Sequence, residues 1–184
     1  MRILQQHAVG LIVDVQERLF PVMRDQEGLT AKLRTLITGL GTLSVPLIVT
    51  EQYRKGLGET IAPVREALTE ATGHWDPLEK TAFSCCDDPP ILRRLEEQRR
   101  HAVIIAGIEA HVCVLQTAMD LLTRDYTPIV VTDAVSSRKE QDAEMAFRRM
   151  ESRGVILTSY ESILFELTRY SGSDTFKTIS KLVK

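Results

Sequence analysis

Long apolar runs, an excess of positive charge and a cysteine framework are all missing from this 184-residue chain, and each absence narrows what it can be. The first apolar run, Ala8 to Val13, stops at Asp14 and is too short for a membrane span or the core of a signal peptide. Lys and Arg number 23 against 25 Asp and Glu, for a formal charge of −2. That balance offers no basic footprint, and no Lys/Arg run interleaves with aromatics. Neither nucleic acid nor a membrane is therefore expected as a partner. The cysteines are three, an odd number, and adjacent Cys85 and Cys86 lack the separation that a relaxed bridge needs. They also lack zinc-ligand spacing and read as small buried residues. A reducing, cytoplasmic location is expected.

What is present is an alternation of apolar runs with amphipathic stretches. Ala8 to Val13, Leu47 to Val49, Leu78 to Thr81, Ala102 to Ala106, Ile129 to Val131 and Val155 to Leu157 read as strands. Short continuous apolar runs of this kind suit a parallel sheet buried on both faces. Helices are expected over Ala31 to Leu43, Pro90 to Arg100 and Ala110 to Arg124, the last with apolar residues at i, i+3, i+4, i+7 spacing. Ser137-Arg138-Lys139-Glu140 and Thr158-Ser159-Tyr160-Glu161 read as capping boxes opening two more helices, and Phe176 to Val183 as a final one. The expectation is one α/β domain over residues 1–184: a three-layer α/β/α, doubly wound arrangement around a mainly parallel six-stranded sheet.

In such a sheet, ligands bind beyond the strand C-termini. Asp14 directly follows the first strand, Lys80 ends the third, and Cys113 lies just past the fourth, at a strand-to-helix turn. Unpaired amides in the first turn of a helix carry partial positive charge, which favours a thiolate and can receive an oxyanion. A carboxylate at a strand end can serve as proton acceptor and an ammonium can stabilise developing negative charge. Each residue alone has a commonplace structural reading; three at one rim do not. His111 invites a Cys-His pairing, but two residues along a helix separate side chains by about 200°, so it is expected to point away from Cys113.

The chain resembles the isochorismatase-like superfamily of cysteine hydrolases over nearly its whole length. The segments that carry the resemblance are Leu11-Ile12-Val13-Asp14-Val15-Gln16, Thr50-Glu51-Gln52-Tyr53, Glu79-Lys80-Thr81-Ala82-Phe83-Ser84, Gly107 to Val114, Asp133 to Arg138, and Phe165-Glu166-Leu167. The resemblance implies an Asp14, Lys80, Cys113 triad and a cis bond between Ile108 and Glu109. It also implies an oxyanion hole from the backbone N–H groups of Glu109 and Cys113, and a homo-oligomer. The expected chemistry is cleavage of a C–N bond in a small amide or ureido-type molecule through a Cys113 thioester. The loop after the second strand has Glu51-Gln52-Tyr53-Arg54 where the nicotinamidase branch carries metal-binding histidines, so no metal and no cofactor are expected. Vinyl-ether hydrolysis needs no thiol and fits the retained Cys113 less well. A catalytically idle oligomeric protein and a redox role for Cys113 are the other readings. Gln16, Phe20, Glu51, Gln52, Tyr53 and Ile108 are candidates for the pocket wall, and Arg18 and Trp75 for the pocket or a subunit contact.

Overall fold

Val9, Leu11 and Val13 point to one side of strand β1 (Ala8–Val13), while Ala8 and Ile12 point to the other, and both sets are buried. Side chains alternate across a strand, so a sheet covered on both faces requires apolar residues at every position. The uninterrupted run in the sequence has that cause. The structure, a computed structural model, describes residues 2–184.

In chain order β1 is followed by α1 (Gln26–Thr42), β2 (Leu47–Gln52), the short α2 (Arg54–Leu57), α3 (Ala62–Thr72), β3 (Leu78–Lys80) and α4 (Pro89–Glu97). Then come β4 (Ala102–Ile108), α5 (Leu115–Thr123), β5 (Thr127–Ser136), α6 (Glu140–Ser152), β6 (Ile156–Thr158), α7 (Tyr160–Thr168) and α8 (Asp174–Leu182). The six strands form one sheet in the order β3-β2-β1-β4-β5-β6, and every pairing is parallel. One face packs Leu33, Leu36, Ile37 and Leu40 of α1 with Ile163 and Leu164 of α7. The other packs Ile91 and Leu95 of α4, Ala118 and Leu121 of α5, and Met150 of α6. This is the expected doubly wound, three-layer α/β/α fold.

Strand order reverses direction between β1 and β4, which makes their C-terminal ends the switch point where a crevice opens. The two strands approach closely there. Gly107 has φ +119°, and a Cβ built on it would lie 2.1 Å from the carbonyl oxygen of Val13. Only glycine fits that position.

Several boundaries differ from expectation. β2 continues through Thr50, Glu51 and Gln52, because polar side chains at a strand's end still pair with β1 and β3 when partners receive them. α1 begins five residues early, where Asp25 caps it by accepting from the Gly28 N–H; its first turn has no apolar stripe to signal it. α3 has no counterpart among the expected helices. Ser137 opens no helix: α6 starts at Glu140 after Lys139, and the Ser137 hydroxyl is turned inward to His111. The cap of α7 is Ser159, which accepts from the Ser162 N–H.

Candidate active site

Thr50 and Gln52 lie two apart on β2, so their side chains share a face, while Glu51 points to the other. On that shared face stands Asp14, with φ +54° immediately after β1. Its N–H donates to the Thr50 carbonyl at 3.1 Å, and its Oδ1 accepts from the Thr50 hydroxyl at 2.8 Å. Lys80 Nζ donates to Asp14 Oδ2 at 2.6 Å and to Gln52 Oε1 at 2.6 Å, with the carbonyls of Ala82 and Phe83 each at 3.2 Å. Both side chains of this ion pair are fully buried. Three ammonium hydrogens therefore face four acceptors, and the charge is completely solvated by protein.

Burial is the largest single influence on Lys80 and opposes its charge, yet the Asp14 charge, the smaller influences of Cys85 and Cys113 and the hydrogen bond to Asp14 together outweigh it, and Lys80 titrates above its ordinary range. Cys113, only 5 % exposed, feels the same pair in reverse. Burial first, and then the Asp14 charge, push its thiol well up, with Lys80 opposing them. The direction is opposite to the lowering that a helix field alone would give. Desolvation and a neighbouring carboxylate exceed what an ammonium and a few amides provide.

The turn that carries Cys113 is also not an ordinary α-helical start. Ala110–Val114 form a π turn, with the Val114 N–H reaching the Glu109 carbonyl, and regular helix begins only at Leu115. Such widened turns recur at functional sites. The bond between Ile108 and Glu109 is cis. The Glu109 carboxylate accepts from both the N–H and Nε of Arg138 at 3.1 Å, and His111 Nδ1 meets the Ser137 hydroxyl at 2.9 Å. Two ties thus fasten the cysteine turn to the loop after β5, and the His111 ring is engaged away from Cys113.

Of the other candidates, Gln52 touches Lys80 and belongs to the cluster. Gln16 supports it: its Oε1 accepts from the Gln52 N–H at 2.7 Å, and its Nε2 donates to the carbonyls of Gln52 and Gly58. Tyr53 is 53 % exposed at the rim. Glu51 is buried on the opposite face, where it accepts from the Thr60 N–H and hydroxyl and pairs with Arg54. Phe20 and Ile108 are buried in the core, and Trp75 packs against it. Arg18 donates to the Gly56 carbonyl at 2.9 Å. Thr50 stands in the segment Thr50-Glu51-Gln52-Tyr53, and its position two residues from Gln52 is the sequence signal that it shares the face of the cluster.

Cys85 was read as an ordinary buried residue, and it is buried, but beside this cluster. Its N–H donates to Thr117, one helical turn beyond Cys113, and burial followed by the Asp14 charge pushes its thiol up to about 12. An open cavity of about 270 Å³, lined by Arg24, Lys32, Asp133, Glu140 and Phe147 among others, lies beyond β5 and includes none of Asp14, Lys80 or Cys113. The chemistry of the buried triplet, not the size of that cavity, marks the site. Among the described residues no three His, Cys, Asp or Glu side chains converge to hold a metal ion, and no helix is long and apolar enough to cross a membrane.

Comparison with known proteins adds to this geometry. The family described as Isochorismatase domain matches residues 8–162. A protein of Phytophthora sojae named secreted isochorismatase effector Isc1 is 39 % identical, with 100 % of this chain and 87 % of the relative aligned. A solved structure from Caenorhabditis elegans, named MAR1 ribonuclease, is 39 % identical with a TM-score of 0.90, covering 100 % of this chain and 92 % of that one. The Escherichia coli YcaC product, described as an octameric hydrolase of unknown specificity, is 21 % identical, shares the fold with a TM-score of 0.90, and covers 99 % of this chain and 90 % of that one.

Proposed function

The chain belongs to the isochorismatase family, and from that premise we propose that it is a cysteine hydrolase cleaving a C–N bond in a small amide or ureido-type substrate. The observation that carries this reading is the fully buried Lys80–Asp14 pair, which acts on the thiol of Cys113. A charge pair out of water costs more than an apolar replacement would, so its retention beside a nucleophile argues for chemistry.

The raised thiol sets the order of events. Cys113 holds its proton at rest, so proton transfer to Asp14 accompanies attack of Sγ on the substrate carbonyl. The carbonyl oxygen becomes an oxyanion received by the backbone N–H groups of Glu109 and Cys113. Asp14 then protonates the leaving nitrogen, the C–N bond breaks, and a Cys113 thioester remains. Water, deprotonated by Asp14, attacks that thioester, and the returning proton regenerates the thiol. Lys80, bonded to Asp14 Oδ2, keeps that carboxyl group aimed through both proton transfers.

Two names among the relatives suggest other substrates, RNA and isochorismate. A 5 % exposed nucleophile and a net charge of −2 favour a small molecule over a polyanion, and vinyl-ether cleavage leaves Cys113 without work. The chain is proposed to form a homo-oligomer, as the octameric E. coli protein does, and to act in the cytoplasm, where three free thiols persist. The test is an amide and ureide library scored for ammonia release. Turnover by the wild type and none by Cys113→Ala is expected, with acyl-enzyme seen by intact-mass spectrometry. Equal turnover by Cys113→Ala overturns the reading.

A further inference from the structure

Thr50 is fully buried and touches Asp14 twice, through its carbonyl and through its hydroxyl. We infer that Thr50 is a positioning residue for the proposed hydrolysis, whose hydroxyl favours the ionised form of the Asp14 carboxylate and fixes its orientation for proton exchange. The inference rests on the role of Asp14 proposed above and deepens it.

Donors and acceptors around Asp14 set this role. A threonine hydroxyl has one hydrogen, and here it is spent on Asp14 Oδ1 at 2.8 Å. Lys80 occupies Oδ2. An ionised carboxylate accepts from both, whereas a carboxyl protonated on Oδ1 would present a hydrogen to a hydroxyl already donating toward it. The buried hydroxyl would then have to turn its own hydrogen elsewhere. Thr50 therefore favours the charged form and directs an arriving proton away from the axis of its own bond. The parallel register, with Val13 opposite Thr50, sets the hydroxyl there, and the pairing of β2 with β3 brings Lys80 to the other oxygen. One strand thus aligns base and ammonium together.

The test uses Thr50→Val, which keeps the shape and removes the donor, against Thr50→Ser, which keeps the donor and removes a methyl. With ¹³C-carboxyl aspartate, the Asp14 resonance is identified by its loss in Asp14→Asn. The Val variant is expected to titrate about one pH unit or more above wild type, as loss of a hydrogen bond to a charged group requires. The Ser variant should follow wild type within a few tenths of a unit. On a turned-over amide, Thr50→Val should lower kcat at least about tenfold with KM little changed, and Ser should restore it. Thr50→Ala gives the same reading if the Val variant does not fold. Titration of the hydroxyl-free variant like wild type overturns the inference, as does an unchanged kcat in a wild type that turns over. An inactive wild type would strike the proposed function instead, and the resonance would still decide the role of Thr50.

Discussion

Replacing Lys80 with methionine keeps a linear side chain of similar length and removes the ammonium. It leaves Asp14 Oδ2, Gln52 Oε1 and the carbonyls of Ala82 and Phe83 without the donor they share. Most of the cost falls on Asp14, a carboxylate with no exposed side-chain surface and now no counter-charge. Removing one partner of a buried pair costs about 3–5 kcal/mol. In a chain of this size that corresponds to a fall in melting temperature of roughly 6 to 20 °C, at 2–4 °C per kcal/mol. The pH dependence follows from the direction of the Lys80 shift. Its folded-state titration lies above the unfolded value of about 10.4, so its stabilising effect is whole below that pH and lost as pH climbs through the folded value. The gap between wild type and Lys80→Met should thus be flat from neutrality to about pH 10 and shrink above it. Adding Asp14→Asn removes the stranded charge, and the double variant should regain at least about half of the lost stability. Urea unfolding of all four proteins completes the cycle. A double variant no more stable than Lys80→Met would refute the reasoning, because the loss would then not reside in an uncompensated Asp14.

Cys85 and Cys86, pushed up to about 12 and about 11 chiefly by burial, should resist Ellman's reagent in the folded protein at pH 8 and react at once in guanidinium; rapid native reaction of either would contradict their packing. Gly107→Ala should lose at least about 3 kcal/mol or fail to fold, since φ +119° and a contact of 2.1 Å with the Val13 carbonyl oxygen coincide there. Thermal melting of the purified variant checks it, and a wild-type melting temperature would refute the close approach of β1 and β4.

The fold was legible because its signals are local. Strands buried on both faces print unbroken apolar runs, and the alternation of strand and helix implies the layers. Thus the bounds of β1 matched, and the switch point followed from connection rules. Other features escaped for reasons equally physical. Thr50, Glu51 and Gln52 look like a loop because they are polar, and only partners distant in sequence, Asp14, Thr60 and Lys80, make them a strand end. The π turn at Ala110–Val114 leaves the apolar spacing almost helical, so the pattern could not reveal it. The position of Asp14, Lys80 and Cys113 at three strand ends was readable; the sign of the thiol shift was not. It depends on how dry the site is, and burial is a property of the assembled layers.

The central claim is that one carboxylate and one ammonium act on one thiol, and the two charges must move that thiol in opposite directions. Asp14 raises the titration of Cys113 and Lys80 lowers it. Alkylation of Cys113 by iodoacetamide, followed by peptide mass spectrometry across pH, reads this directly. Asp14→Asn should shift the midpoint of reactivity down and speed alkylation at pH 7 while abolishing hydrolysis, and Lys80→Met should shift the midpoint up and slow it. Variants that leave the Cys113 profile where the wild type has it, or move it the same way, would contradict the account.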